Sequence, residues 1–283
     1  MSDDETTTAR ERVGRSYRKL GAAGRRLLGA RPQATNGATP HGAACNICRW
    51  EGDAFAGDRD VERSRCPSCG SGGRDRFLHR CLTGRVELHP ELRVLACGST
   101  RPVWSLSRTG DEELRSHRSD VHLDLQDIGL PDACLDVVVC TDVLEPVPHT
   151  YDALRELRRV IAPGGHLLLQ VPVRQGRTTP ATRPEFHGDR KPVIWHFGFD
   201  LTTRLRGAGF TTALLCTGEL LDAVRSGENP WTGWPAAFDV PDMLAGAAAV
   251  AGDLVAVADR AQAAHLGLTP GYRYLTWHGR VPE

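Results

Sequence analysis

Hydrophobic positions are most regular from Leu135 to Pro172, LDVVVCTDVLEPVPHTYDALRELRRVIAPGGHLLLQVP. The run Leu135 to Cys140 is apolar and rich in valine with almost no polar alternation, which predicts a strand covered on both faces. From Tyr151 to Val160 the residues Leu154, Leu157 and Val160 return at helical spacing. Pro163 to Gly165 stops that helix, and His166 to Val171 forms a second apolar run. A helical crossover of this length joins parallel neighbours rather than a hairpin. The predicted centre is therefore an α/β fold, a doubly wound and mostly parallel sheet.

Elsewhere the pattern is shorter but readable. Leu92 to Cys97 predicts the first strand of that sheet, and Gly98 follows it where a doubly wound sheet receives a nucleotide beyond the strand's carboxyl end. Phe77, Leu78, Cys81 and Leu82 share one helix face within residues 73–90, read as a connector helix, with Arg74, Arg76 and His79 expected on its solvated side. Asp120 to Asp127 reads as a short strand bounded by acids. Asp200 reads as the cap of a helix ending at Gly209, and Phe210 to Cys216 as the next strand. Asp253 to Ala258 and Tyr272 to Trp277 are two further strand candidates for the same sheet. The long Pro-rich stretch at about 173–199 holds His187, Trp195, His196, Phe197 and Phe199, and reads as an ordered lid.

Length and charge narrow the partners. A chain of 283 residues buries one large core with a small module beside it. The 35 basic and 35 acidic residues balance, so no overall field favours nucleic acid or an acidic membrane. Residues 1–40 read as a flexible basic tail: Arg10 to Arg31 carries eight basic residues against one acid, interrupted by Gly14, Gly21 and Gly24. The first residues are polar, without a secretory apolar segment, and Leu244 to Ala258 is mostly Ala and Gly around Asp253, so a soluble protein with no membrane span is expected.

Nine cysteines is an odd count, and four of them form two Cys-x-x-Cys pairs, Cys45/Cys48 and Cys66/Cys69, separated by 17 residues. Each pair is a turn that aims two thiolates at one point, and the spacer suits the hairpin of a zinc ribbon over residues 41–72. Four sulfurs close a tetrahedral zinc with no open position, so the expected metal is structural. This usage points to a reducing cytoplasm rather than a disulfide framework.

Two stretches carry a resemblance to a known family. CPSCGSGGRDRFLHRCL is similar to the ribbon-to-helix junction of a bacterial subgroup of class I S-adenosylmethionine-dependent methyltransferases that bears an N-terminal zinc ribbon. Leu135 to Pro172 resembles that family's fourth strand, following helix and fifth strand, with RRVIAPGG for the usual R-V-L-x-P-G-G; GAGF at Gly207 to Phe210 resembles the ending before strand six. The resemblance covers about Cys45 to Cys216. It implies S-adenosylmethionine as cofactor in a Rossmann-like domain over residues 91–283. It further implies a cofactor loop at Ala96, Cys97, Gly98 and Ser99, a ribose-binding acid at Asp120, an acid near the adenine at Asp124, and a strand-four edge of Cys140, Thr141 and Asp142 facing the methionine part. The loop reads LACGST where the family commonly shows an acid and several glycines, and Pro146 follows Glu145 where His is usual in L-E-H-V.

Such enzymes hold the methyl group in line with a nucleophile, and a base is optional. The histidines nominated for that role are His149 after strand four and His187 and His196 in the lid. Methyl transfer to a small or medium-sized molecule, as in specialised metabolism, is the leading expectation, from the aromatic lid and the neutral charge. The alternatives are a binding or scaffold protein, or a different reaction in the same pocket, argued from the altered loop, and RNA methylation gripped by the ribbon and basic tail.

Overall fold

The computed structural model describes residues 42–57, 64–89, 91–98, 123–186, 192–231 and 239–283. The basic segment 1–40 and three nominated site residues, Ser99, Asp120 and His187, lie outside the described residues.

The chain begins with a short antiparallel pair, β1 (Ala43–Ala44) and β2 (Glu51–Gly52), next to the four-cysteine cluster. Then come α1 (Gly73–Arg85), β3 (Val94–Gly98), β4 (Leu135–Thr141), α2 (Thr150–Val160) and β5 (Ile161–Gln170). A hairpin of β6 (Thr179–Phe186) and β7 (Pro192–His196) leads to α3 (Leu201–Gly207), β8 (Thr211–Thr217), α4 (Gly218–Ser226) and α5 (Val240–Ala249). The last elements are β9 (Leu254–Ala258), α6 (Arg260–His265) and β10 (Thr276–Arg280).

Six of these strands form one mixed sheet in the order β3-β4-β5-β10-β8-β9. The pairs β3/β4, β4/β5 and β8/β9 are parallel, and β10 lies antiparallel between β5 and β8. The expected strand, helix and parallel strand are thus the centre of the sheet. Both late strand candidates enter it, β9 at the edge and β10 inside, the latter beginning four residues after the start of the run Tyr272 to Trp277 that predicted it.

Two layers cover the sheet. On one face Phe77, Leu78, Cys81 and Leu82 of α1 pack with Val137, Val139, Leu168 and Leu215. On the other, Leu154, Leu157 and Val160 of α2 join Val138, Cys140, Leu167 and Leu169 with Phe197, Phe199 and Trp231. Burying each such Leu or Val contributes about 1.5–3 kcal/mol, and this explains why β4 has no polar alternation: its successive side chains meet apolar neighbours on both sides.

The structure corrects three local readings. The Pro-Gly-Gly stop is a bulge within β5: Ile161 pairs with Leu135, the next pair is His166 with Val137, and the residues between loop out with Gly164 at φ +74°. Its N–H donates to Val281 O at 3.0 Å, so this bulge ties β5 to the chain after β10. Residues 123–127, the described part of the acid-bounded strand, form a turn, because Asp124 accepts from the Gln126 and Asp127 amides instead of a neighbouring strand. Finally, the polar side of α1 is not all solvated. Arg76 is 0% exposed. Its Nε donates to Leu266 O at 2.6 Å, Nη1 to Ser71 O at 2.6 Å and Nη2 to Ser64 Oγ at 3.3 Å, and the guanidinium lies 3.7 Å from the Phe55 ring centroid. Asn46 Nδ2 donates to Arg76 O at 2.9 Å. The cysteine-bearing segment is thereby fastened to the helix that covers the sheet.

No described helix is long and apolar enough to cross a membrane.

Candidate cofactor site and cysteine cluster

The carboxyl ends of β3 and β4 lie side by side, with Ala96 opposite Val139, Cys97 opposite Cys140 and Gly98 opposite Thr141. Gly98 has φ +85°, and a Cβ there would stand 1.9 Å from Thr141 O. Only glycine lets the two strand ends approach this closely while the chain turns away from the sheet. Beyond Thr141 the chain also turns sharply: Asp142 is left-handed at φ +53°, and its N–H donates to Gln170 O at the end of β5. A non-glycine residue held in that region costs about 1 kcal/mol or more and marks places where side-chain direction matters. Here the turn aims the Asp142 carboxylate at Arg74 of α1, 2.8 Å away.

Glu145 follows in the same connection. It is 3% exposed, and neither carboxylate oxygen has a hydrogen-bond partner. Burial pushes its carboxyl up to about 7; its own amide, Arg74 and the Leu144 amide oppose the rise and Asp142 adds to it, but neither amide reaches hydrogen-bond geometry with the carboxylate. Its carbonyl is fully engaged, accepting from the Ile194 and Trp195 amides of β7 at 2.8 and 3.1 Å, while Trp195 Nε1 donates to Pro148 O at 3.1 Å. The β6/β7 hairpin is therefore docked on the connection after β4. At its base, Thr178 donates through its amide and hydroxyl to Asp200 Oδ1 at 2.7 and 2.6 Å, and Gly176 donates to Asp242 Oδ2 of α5 at 2.6 Å. Asp200 thus precedes α3 as expected, but its carboxylate holds the hairpin base rather than capping a helix amide.

The remaining nominated residues fall into two groups. Asp124 is exposed in the turn before β4 and meets Gln126, whose Oε1 in turn accepts from the His149 amide at 3.0 Å. Gln126 so links the proposed adenine acid to the start of α2, where His149 is itself exposed. His196 lies on the hairpin 3.4 Å from Glu185, also of the hairpin. Ala96, Cys97, Gly98, Cys140, Thr141 and Asp142 are brought together at one sheet edge, whereas the side-chain contact of His196 is with Glu185 across its own hairpin.

Arg74 and Glu145 were missed by sequence reading. Arg74 sits on a helix whose apolar stripe says only that it faces away from the core. Glu145 is one acid in a Pro-rich connection, and its burial depends on a hairpin some fifty residues later in the chain. Its only local signal was its place beside Pro146 after an apolar strand.

The cysteine cluster is compact. Cys45, Cys48, Cys66 and Cys69 offer sulfurs all within 4.8 Å of one another, with Cys45···Cys69 at 3.7 Å and Cys48···Cys66 at 3.6 Å. Zinc–sulfur bonds of about 2.3 Å in a tetrahedron set sulfurs about 3.8 Å apart. The donor set and its spacing fit zinc. Ser71 Oγ stands 3.3 Å from Cys45 Sγ and 3.2 Å from Cys69 Sγ, placing a hydroxyl beside two of the four ligands.

Comparison with known proteins agrees with this geometry. Residues 97–169, from the end of β3 through β4 and α2 into β5, match a family described as a methyltransferase domain. Over that segment the chain is similar to methyltransferase domains. No curated protein matches the chain. Among solved structures, the [4+2]-cyclase SpnF is similar at 15% identity and TM-score 0.40, over 81% of this chain and 86% of that one. An S-adenosylmethionine-dependent methyltransferase from Mesorhizobium loti is similar at 15% identity and TM-score 0.39, over 71% and 95%. The Burkholderia thailandensis 1,6-didemethyltoxoflavin-N1-methyltransferase, solved with S-adenosylhomocysteine, is similar at 14% identity and TM-score 0.40, over 74% and 77%. The matched segment begins at the end of β3 and runs through β4 to β5, so it includes the paired strand ends described above.

Proposed function

We propose that the protein transfers the methyl group of S-adenosylmethionine to a small or medium-sized molecule. The observation that carries this reading is the match of residues 97–169 to a methyltransferase domain over β3, β4 and β5, where Gly98 and Asp142 turn two strand ends outward at one edge. S-adenosylmethionine would supply an electrophilic methyl on a sulfonium. Ala96 to Gly98 would pass beside it, Cys140 to Asp142 would face its methionine part, and Asp124 would accept from the adenine amino group, with Ser99 and Asp120 completing the loop and ribose contacts. The docked hairpin, with Trp195 and His196 half-buried on it, would exclude water from the transfer. The balanced charge favours a small acceptor over a polynucleotide. Zinc would be held by Cys45, Cys48, Cys66 and Cys69 as a folding element, in keeping with a reducing cytoplasm.

The test is calorimetric titration of the zinc-loaded protein with S-adenosylmethionine and S-adenosylhomocysteine. Binding of both, weakened by Asp124→Ala, supports the assignment; no binding of either overturns it. A second reading, a methyltransferase-fold binding protein without methyl transfer, draws on the described loop itself, Leu95 to Gly98, which offers no carboxylate to the cofactor. Binding of S-adenosylhomocysteine with no turnover against any class of acceptor would favour it. RNA retention that falls with salt and is lost on removing residues 1–40 would instead favour the nucleic-acid reading.

A further inference from the structure

A buried carboxylate with no hydrogen-bond donor is expensive, and native structures keep one mainly where a ligand supplies the missing partner. Glu145 is such a group. Its backbone is not slack, since β7 takes up its carbonyl with two amides, yet neither carboxylate oxygen has a hydrogen-bond partner among the described residues. It lies between the two elements that would enclose an acceptor, the outward end of β4 and the docked hairpin. The charged groups acting on it are Asp142 from its own connection and Arg74 from α1, which are already engaged with each other. Ile194 and Trp195, which β7 brings to it, carry no titratable group.

We propose that Glu145 is the proton acceptor for methyl transfer and that the acceptor substrate carries its nucleophile as an N–H or O–H group. This rests on the methyltransferase reading above. In the step, the nucleophile's lone pair forms the bond to the methyl carbon as the carbon–sulfur bond breaks with its electrons returning to sulfur. The proton leaving the nucleophile goes to a Glu145 oxygen, giving a methylated product, a neutral thioether and a carboxylic acid that returns its proton to water. A carbon or thioether nucleophile without such a proton would leave Glu145 unsatisfied in the complex. None of the three nominated histidines is needed.

Sinefungin tests this without knowledge of the substrate, because it replaces the methyl-bearing sulfur of the cofactor by a carbon bearing an amine, and so puts a cationic N–H group where the nucleophile would approach. Calorimetry compares its affinity with that of S-adenosylhomocysteine for the zinc-loaded wild type, Glu145→Gln and Glu145→Asp. The expected result is a preference for sinefungin in the wild type that falls about tenfold or more in Glu145→Gln, the size of a charge-assisted hydrogen bond, with S-adenosylhomocysteine affinity held within about twofold. In the wild type the same preference should fall between pH 8.5 and pH 5.5 as the carboxylate takes up a proton. That arm decides the matter if neither variant folds. A preference unchanged by both the substitution and the pH overturns the role of Glu145 while leaving the cofactor site intact. Failure of every protein to bind S-adenosylhomocysteine overturns the methyltransferase reading itself.

Discussion

Replacing Arg76 with Met should unfasten the cysteine segment from the sheet. The guanidinium is wholly buried, with no carboxylate bonded to it among the described residues, and burial lowers its pKa, opposed by the thiols of Cys45 and Cys66 among its neighbours. Four thiolates around one zinc carry a net charge near −2, so in the metal-loaded protein the sulfurs give this cation a counter-charge, to which Asp75 adds. Methionine fills a similar volume but leaves Leu266 O without its donor and Ser71 O with the Cys66 amide alone, and removes the cation from the Phe55 face. Two lost hydrogen bonds to a charged donor cost about 1.5–3 kcal/mol each; with the stacking term of about 1 kcal/mol and some recovery from apolar packing, the net should be about 4 kcal/mol. Urea unfolding of the zinc-loaded protein followed by tryptophan fluorescence measures this, and zinc release to a chromogenic chelator should quicken in parallel. Arg183→Met, on an exposed side chain of the hairpin, is the control and should stay within about 0.5 kcal/mol. If Arg76→Met behaves like that control, the buried guanidinium does not join the two parts and the reasoning fails.

Three other outcomes follow from the geometry. His278 stacks on His166 with Nδ1 and Nε2 2.9 Å apart, and burial, with help from His166, pushes His278 down to about 4 from 6.5. The unfolded chain takes up the proton first as pH falls through about 6.5. Stability from this group is therefore complete above that pH and lost progressively toward 4, by at most about 3 kcal/mol. Urea midpoints across pH 7.5 to 4.5 should show a slope that is shallower in His278→Gln. Gly98→Ala should drive the ends of β3 and β4 apart, abolish S-adenosylhomocysteine binding in calorimetry and lower stability by about 2 kcal/mol or more; retained affinity would place the cofactor elsewhere. Asp242→Ala removes the acceptor for the Gly176 and Arg177 amides and should speed limited proteolysis within residues 174–199 while changing global stability by only about 1–2 kcal/mol.

What could be read from the sequence was what local periodicity encodes. The centre of the sheet, α2, the apolar face of α1 and the cysteine pairs each announce themselves within a dozen residues or by fixed spacing. The strands β9 and β10 were visible as apolar runs, but their places were not, because entry of β10 between β5 and β8 is decided by pairing with β5 more than a hundred residues back and with β8 more than sixty residues back. The candidate site divides the same way. The edge residues Cys97, Gly98, Cys140 and Asp142 follow from where strands end. Arg74, Arg76 and Glu145 acquire their roles only from partners distant in the chain: an aspartate on another element, carbonyls on either side of a helix, and a hairpin that covers an acid.

The position of β10 has a consequence for how the chain comes together. Until Thr276–Arg280 is synthesised, the facing edges of β5 and β8 have no strand between them, and the two parallel halves of the sheet are separate pieces with open backbone edges. The sheet is thus closed by the strand that follows all its other strands in the chain. A nascent chain must hold two sticky, unjoined edges from the completion of β9 until β10 emerges, which makes that interval the period when this sheet most needs a chaperone.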